Sequence, residues 1–177
     1  MAVGKDLQTF RNALSVALQE RRSRRRLHKH TDLRQNPKKT YTAAIYYGLR
    51  DDQAYQVLQW MEPLKRALGD DHNLVIITRK PSAAEAFEQD GTFPVFLANE
   101  LNELERFVEQ QDLAVVFYVN NSMTNFLMLS FADCTHVALG HGESDKIASA
   151  TNQFRAYTYV LVAGQAAKNR LARRLLD

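Results

Sequence analysis

The sequence predicts an α/β protein in which one parallel β-sheet is covered by helices on both faces. Short apolar segments rich in β-branched and aromatic residues alternate along the chain with segments whose apolar residues recur at helical spacing. Some of the apolar segments are near-continuous, which is typical of strands that are buried on both faces. Strands that alternate with helices form right-handed βαβ units, so we expect a doubly wound, Rossmann-like sheet.

The first predicted strands and helix follow Pro37. Residues 42–48 (TAAIYYG) form a strand of β-branched and aromatic residues, which the glycine at its end stops. Residues 52–68 carry apolar side chains at helical spacing, and Gly69 ends this helix. Residues 74–78 (LVIIT) form the next strand, because the run is apolar throughout.

The middle of the chain continues the alternation. Residues 81–89 form a short helix that a Pro-Ser pair opens, and residues 94–97 form a weak strand. Residues 101–111 form a helix with apolar residues at helical spacing. Residues 113–119 (LAVVFYV) are the clearest strand in the sequence, because this run is apolar and mostly β-branched or aromatic.

The last third of the chain holds three more helices and two more strands. Asn121 and Ser122 both suit the N-cap of a helix, because their side chains accept hydrogen bonds from free backbone N–H groups. The remaining predicted helices are residues 123–131, 145–154 and 165–176, and the remaining predicted strands are residues 135–139 and 157–163.

Size and composition are those of a soluble globular domain. The chain has 177 residues, of which 45% are hydrophobic and 24% are charged. Its one cysteine, Cys134, excludes an internal disulfide framework and a thiolate metal cluster. No apolar run approaches the ~18 residues that a membrane-spanning helix needs. We therefore expect a cytoplasmic location, with any membrane contact peripheral and on the inner face.

Charge divides the chain into two parts. Residues 1–40 hold 11 basic and 3 acidic residues, a net charge of +8, whereas the remaining residues hold 12 basic and 17 acidic ones, a net charge of −5. The basic character therefore belongs to an N-terminal arm. We predict a basic amphipathic arm over residues 1–36 and a single Rossmann-like domain over residues 37–177.

Ligands of a doubly wound sheet bind beyond the carboxyl ends of its strands, near the switch in strand order. Three predicted loops lie at that edge: residues 48–50, 120–122 and 140–142. The loop after the first strand reads GLRDDQ and lacks the GxGxxG pattern of dinucleotide-binding domains. We therefore predict no cofactor.

The histidines outside these loops do not indicate a metal site. His28, His30 and His72 lack the spacing of metal ligands and lie among polar residues. His136 lies at the start of a strand, where a packed or hydrogen-bonded imidazole is the expectation.

The third loop, GHGESDK (residues 140–146), carries the residues that best suit catalysis or anion binding. Its two glycines allow positive φ and close approach of the backbone on either side of His141. His141, with a reference pKa of about 6.5, suits a general base toward a hydroxyl. Ser144 suits an N-cap, so free backbone N–H groups would face the loop. A bound phosphate would also offset the unfavourable position of Lys146 in the first helical turn.

A structural interpretation of these loops competes with the functional one. Gly-His-Gly is also the sequence of a tight turn with a solvated histidine, and Glu143 or Asp145 could offset the charge of Lys146 without a ligand. The asparagine-rich loop could serve only to cap a helix. The candidate residues are His141 as the catalytic base and, for substrate or phosphate, Gly142, Ser144, Lys146, Asn120, Asn121 and Ser122.

The same segment resembles a known family. The order from His141 to Lys146 (HGESDK) resembles the His-Gly-x-x-x-Lys motif of the CDP-glycerol glycerophosphotransferases, the teichoic-acid polymerase family. Residues 157–171 (YTYVLVAGQAAKNRL) are similar to the family's next segment, in which a strand ends in a small residue and glycine and a helix follows. Residues 117–126 (FYVNNSMTNF) resemble its strand and Asn-rich turn. The resemblance covers roughly residues 110–175.

The resemblance implies a fold and a reaction. Enzymes of that family have two Rossmann-like halves of the GT-B type, and this chain resembles the first half. His141 would lie on the acceptor side and help deprotonate a hydroxyl of a polyol-phosphate acceptor, while the second half would hold the CDP-glycerol donor. The chain ends at Asp177, so we expect the second half to be missing and the isolated chain to have little or no activity. The chain departs from the family at two places. Aromatic and threonine residues are common in the family at the position of residues 138–140. An acidic residue is common at the position of Thr158.

The sequence of the N-terminal arm predicts an amphipathic helix followed by a basic cluster. Leu7, Phe10, Leu14 and Leu18 form one apolar stripe on a helix of about 20 residues. The run RRSRRR follows (residues 21–26), and this combination suits an anionic membrane surface. The membrane-contact residues would be Arg21, Arg22, Arg24, Arg25 and Arg26.

Other roles of the arm stay open. It could pack on its own domain, pair two copies of the chain in a homodimer, or contact nucleic acid, although no motif or aromatic pattern supports the last of these. For the whole chain two hypotheses follow: the acceptor-side half of a metal-independent glycerophosphotransferase, or a non-catalytic Rossmann-like binding or interaction module with a degenerate His-Gly loop.

Overall fold

The computed structural model describes residues 12–23, 40–69, 73–140 and 151–175. Within these ranges six strands form one sheet. The strands are β1 (Ala43–Tyr47), β2 (Leu74–Thr78), β3 (Val95–Leu97), β4 (Val115–Tyr118), β5 (Thr135–Ala138) and β6 (Tyr159–Val160). The helices are α1 (12–23), α2 (Tyr55–Leu68), α3 (Pro81–Asp90), α4 (Leu101–Gln110), α5 (Phe126–Leu129) and α6 (Gln165–Leu175), and 3-10 turns span Asp51–Gln53, Met123–Asn125 and Asn152–Ala156.

The strand order is β3-β2-β1-β4-β5-β6, and every neighbouring pair is parallel. The chain begins the sheet at β1, builds outward to β3, returns to place β4 on the other side of β1, and then builds outward to β6. This arrangement confirms the predicted α/β class with a Rossmann-like sheet. The order reverses between β1 and β4, so the carboxyl ends of these two strands flank the switch.

The side chains of each strand alternate between the two faces of the sheet. On β1, Ile45 and Tyr47 pack on the face that carries α2 and α3, whereas Ala44 and Tyr46 pack on the face that carries α4 and α5. Every residue of β1 and of β2 is buried. The apolar runs in the sequence therefore mark strands that are covered on both faces, as predicted.

Several helix boundaries follow their sequence signals. Gly69 ends α2 with φ of 73°, a left-handed value that glycine adopts without a Cβ clash. Pro81 is the first residue of α3, where its missing N–H costs nothing. Glu100 and Glu103 form a reciprocal capping box at the start of α4.

The helix predicted over residues 123–131 is shorter than expected. Met123–Asn125 form a 3-10 turn, and α5 has only one α-helical turn. The buried Asn125 side chain donates to the carbonyl oxygen of Asn120 (2.7 Å) and to the hydroxyl of Tyr157 (2.9 Å). These side-chain hydrogen bonds compete with regular helical pairing at this position.

The predicted helix over residues 145–154 was wrong at its C-terminal end. Thr151 has extended backbone angles, and Asn152–Ala156 form a 3-10 turn. Thr151 accepts a hydrogen bond from the Asn121 side chain (2.8 Å), and Gln153 donates to the carbonyl oxygen of Ser122 (2.9 Å). Tertiary hydrogen bonds to the loop after β4 therefore determine the conformation here; residues 145–150 lie outside the described ranges.

The last strand is also shorter than the predicted residues 157–163. β6 comprises only Tyr159 and Val160, and its neighbour is β5 alone. Tyr159 is 61% exposed, and among the described residues no strand pairs with the outer edge of β6. An edge strand has half the pairing partners of a central one, so the apolar pattern of this segment overestimates its length.

Candidate functional site at the carboxyl edge of the sheet

The loops that follow β1 and β4 touch each other at the switch. Gly48 follows β1, and Thr124 lies in the 3-10 turn after β4. A Cβ on Gly48 would lie 2.4 Å from Oγ1 and 2.6 Å from Cβ of Thr124, so the two loops can meet there only because residue 48 is glycine. This contact fixes the position of the loop after β4.

Asn120 bridges the switch. Its Nδ2 donates to Oε1 of Gln56 (2.8 Å), at the start of α2, and its carbonyl oxygen accepts from Nδ2 of Asn125 (2.7 Å). Gln56 in turn donates from its side chain to the side chain of Gln53 (3.2 Å). The Asn120 amide is therefore a structural link between α2 and the loop after β4.

Asn121 and Ser122 differ in role. The prediction that both suit an N-cap is confirmed for Ser122, whose Oγ accepts from the backbone N–H of Thr124 (3.2 Å). The Asn121 side chain instead donates to Oγ1 of Thr151 (2.8 Å) and lies within 3.5 Å of the Tyr157 hydroxyl. Burial raises the pKa of Tyr157, although its hydrogen bond from Asn125 lowers it in part.

The segment between Gly140 and Thr151 is held at both of its ends. The indole N–H of Trp60, on α2, donates to the carbonyl oxygen of Gly140 (2.6 Å). Gly140 has φ of 71°, so the positive φ that the sequence suggested at this glycine is present. At the other end, the hydrogen bond from Asn121 holds Thr151. Both ends therefore lie on the carboxyl edge of the sheet, beside the loop after β4.

The predicted catalytic base and the other candidates of the His-Gly segment fall between these two residues in the sequence. His141, Gly142, Ser144 and Lys146 belong to residues 141–150, outside the described ranges. Their roles stay predictions. Asn120, Asn121 and Ser122 are on the edge where the sequence placed them, and their side chains are engaged in hydrogen bonds within the chain.

Sequence reasoning missed that the N-terminal helix reaches the same edge. Glu20 of α1 forms an ion pair with Arg50, in the loop after β1, and accepts hydrogen bonds from Ser82 at the start of α3. The sequence gives one hint of such a contact, which is the position of Glu20 among the polar residues of the arm. Glu20 is the one acidic residue of residues 12–23.

A second group of polar atoms lies at the ends of β1, β2 and β3. The hydroxyl of Tyr46, Nε of Arg79 and Nδ2 of Asn99 are buried and have no hydrogen-bond partner in the part of the chain that is described. Arg79 is anchored by a hydrogen bond from its guanidinium to the carbonyl oxygen of Asn99 (3.2 Å). Burial raises the pKa of Tyr46 to about 12, despite the opposing charge of Arg79.

His136 is a structural histidine, as predicted. It is 6% exposed; its Nδ1 lies 2.8 Å from the Tyr118 hydroxyl and its Nε2 lies 2.9 Å from the carbonyl oxygen of Phe131. The carbonyl can only accept, so Nε2 carries the proton and Nδ1 accepts from Tyr118. Burial lowers the pKa of His136, and the bond to Phe131 raises it in part.

Fold and edge loops together define a Rossmann-like α/β domain with a polar carboxyl edge at its switch point. Comparison with protein families, curated proteins and solved structures gives no match to this chain. In residues 12–23, 40–69, 73–140 and 151–175, no group of three or more His, Cys, Asp or Glu residues is arranged to hold a metal ion. Within the same residues, no helix has both the length and the apolar character to cross a bilayer.

Proposed function

We propose that this chain is the acceptor-side domain of a transferase similar to the CDP-glycerol glycerophosphotransferases, which acts in the synthesis of a teichoic-acid-like polymer of the cell envelope. The observation that carries the proposal is the anchoring of Gly140 and Thr151 on the carboxyl edge, because the His-Gly segment runs between them. That edge, next to the switch, is where Rossmann-like sheets bind ligands.

The chemistry assigned to the loop is acid–base catalysis with anion binding. His141 removes the proton of the acceptor hydroxyl, and the hydroxyl oxygen attacks the phosphorus that carries glycerol in the CDP-glycerol donor, while the pyrophosphate P–O bond breaks and CMP leaves. Gly142, Ser144 and Lys146 contribute backbone N–H groups, a hydroxyl and a charge that suit an acceptor phosphate. A CDP-glycerol donor would be bound by a second half, so this domain alone is expected to bind acceptor without turning it over.

The second candidate is a non-catalytic Rossmann-like binding or interaction module. The observation that favours it is that the side-chain amides of Asn120 and Asn121 already donate hydrogen bonds to Gln56 and Thr151. Fewer of their N–H groups are therefore left to bind a substrate. In this alternative, Gly-His-Gly serves as the turn after β5 and the edge holds the loops in place.

Ligand binding by the isolated chain distinguishes the candidates. Trp60 is the single tryptophan of the chain and contacts Gly140, so its fluorescence reports changes at the start of the loop. The transferase proposal expects short glycerol-phosphate oligomers to change this fluorescence, with weaker binding in His141→Ala and Lys146→Met. Lys168→Met is the matched control, because Lys168 is exposed on α6. An oligomer that binds wild type and both loop variants equally would contradict the assignment of the loop.

Turnover is tested in a protein that joins this domain to a donor-binding half. We expect His141→Ala to reduce the rate of glycerol-phosphate transfer by ~10²–10⁴-fold, the usual range for a general base. Thermal stability is expected to change little. Wild-type turnover in this variant would eliminate His141 as the base and favour the binding module.

Contact with an anionic membrane surface is part of the proposal. Leu14 and Leu18 of the predicted apolar stripe are 50% and 45% exposed, and Arg21 and Arg22 on the same helix are exposed. Leu7, Phe10, Arg24, Arg25 and Arg26 lie outside the described residues. An exposed stripe beside arginines supports peripheral binding at the membrane more than packing of the stripe on this domain or binding of nucleic acid.

A further inference from the structure

Helix α1 contacts the domain through its polar face. The Glu20 carboxylate accepts hydrogen bonds from the backbone N–H of Ser82 (3.1 Å) and from the Ser82 hydroxyl (2.8 Å). Nε of Arg50 lies 3.4 Å from the same carboxylate. One side chain of α1 thus joins the loop after β1 to the first turn of α3, where a negative charge also suits the helix dipole.

Two neighbouring residues of α1 strengthen this contact. The Gln19 side chain donates to the Asp51 carboxylate (2.8 Å) and accepts from the guanidinium of Arg50 (3.2 Å). Ser23, which is 4% exposed, donates from its hydroxyl to the Glu85 carboxylate (2.6 Å). Positions 19, 20 and 23 share one side of a helix, so three polar residues of α1 meet the edge together.

Leu14 and Leu18 lie on the other side of α1. Leu14 and Leu18 are one helical turn apart, and Arg21 continues the same row at the next turn. A surface helix usually turns its apolar stripe toward the core, whereas Leu14 and Leu18 of α1 are exposed. Because Glu20 is the one acidic residue in this part of the chain and faces the domain, the outward face is apolar and cationic.

We propose that α1 is a two-sided clamp: its polar face holds the carboxyl edge of the sheet while its leucine–arginine face binds an anionic lipid bilayer. The two contacts use opposite sides of the helix, so they can form together. An interfacial helix lies in the plane of the headgroups. The edge is then held about one helix diameter, ~10 Å, from the bilayer in a single orientation.

This clamp differs from a flexible basic tether in what it does to the site. A tether would keep the domain near the membrane in many orientations. The clamp presents the loops after β1 and β4 to the lipid surface, because these loops leave the same edge that α1 contacts. The inference rests on the membrane contact proposed above, but it requires no donor, acceptor or turnover.

Vesicle flotation of the whole chain tests the outward face. We expect binding to vesicles that contain phosphatidylglycerol and none to pure phosphatidylcholine vesicles. The double change Leu14→Ser and Leu18→Ser is expected to weaken binding by ~10-fold or more, since it removes the apolar side chains that enter the interface. The matched control is Ala13→Ser with Ala17→Ser, which changes the same helix by the same number of serines. Equal binding by the two double variants would overturn the proposal.

Energy transfer from Trp60 to dansyl-labelled lipid headgroups tests the orientation, because Trp60 lies beside Gly140 at the edge. For vesicle-bound wild type we expect efficient transfer. Glu20→Gln combined with Ser23→Ala should keep vesicle affinity within about threefold and lower the transfer, because α1 then loses the charge that pairs with Arg50 and the hydroxyl that donates to Glu85. Equal transfer in wild type and this variant, or loss of vesicle binding by the variant, would contradict the clamp. Neither readout depends on catalysis, so a failed transferase assay leaves the result interpretable.

Discussion

Trp60 and Gly140 are joined by a hydrogen bond of 2.6 Å between the indole N–H and the backbone carbonyl oxygen, although 80 positions separate them in the chain. The bond fixes the start of the loop after β5 to the body of α2. It therefore ties the candidate catalytic segment to an element of the core rather than to another loop.

The substitution Trp60→Phe removes this donor while keeping an aromatic ring against the core. We expect the free energy of unfolding to fall by about 1 kcal/mol for the lost hydrogen bond. We also expect faster amide exchange near Leu139 and Thr151, measured by mass spectrometry. Tyr159→Phe, which removes a hydroxyl from an exposed aromatic residue, serves as the control. Wild-type exchange in Trp60→Phe would show that this bond does not restrain the loop.

The close approach of Gly48 and Thr124 predicts a position-specific effect of alanine. Gly48→Ala should lower the free energy of unfolding by about 1–3 kcal/mol, because the new Cβ overlaps the Thr124 side chain. Adding Thr124→Gly removes both overlapping atoms and should recover part of the loss. Gly164→Ala is the control, since nothing lies within 4 Å of a Cβ there. Urea unfolding measures all four proteins; equal effects at positions 48 and 164 would refute the contact.

His136 predicts a dependence of stability on pH. Burial lowers its folded-state pKa from the ordinary 6.5, so between that lowered value and 6.5 the unfolded chain binds more protons than the folded one. The stabilising contribution is therefore complete above about pH 6.5 and is lost as the pH falls below it. Urea midpoints at pH 7.5 and 5.5 should differ more for wild type than for His136→Gln, which does not titrate. A steeper pH dependence in the variant would be the opposite of this expectation.

Arg21 and Arg22 should control how strongly the chain responds to salt at a membrane. Each arginine near an anionic surface contributes about 1 kcal/mol, so replacing both with glutamine should weaken vesicle binding by ~30-fold at low salt. High salt should release wild type, because screening shortens the reach of these charges.

Deleting residues 1–36 should abolish binding and leave a folded sheet. Binding of the deleted chain to anionic vesicles would place the contact elsewhere.

The fold class was predictable because strand burial leaves a local signature. Residues 74–78 and 113–119 are apolar runs, and the structure covers β2 on both faces and places β4 between β1 and β5. Helix ends were predictable wherever a single residue determines the backbone, as at Gly69 and Pro81.

The errors lie where tertiary contacts outweigh local preference. Asn125 and Thr151 are bound by partners from other parts of the chain, so α5 is one turn long and residues 152–156 form a 3-10 turn. At the candidate site, Ser122 could be predicted as a cap because capping is local. The contact between Glu20 and Ser82 could not, because 62 positions separate the two residues and neither carries a motif.

The strand order also has a consequence for how the chain folds. Ala43 of β1 pairs with Leu74, and on its other side with Val115, which is 115 − 43 = 72 positions later. A chain made from its N-terminus completes β1, β2 and β3 before β4 exists, so one edge of β1 exposes unpaired N–H and C=O groups during that time. Closing a long loop before its contacts form is slow. Insertion of β4 beside β1 is therefore the expected rate-limiting step, and the half-built sheet that precedes it is the species most exposed to aggregation and to chaperones.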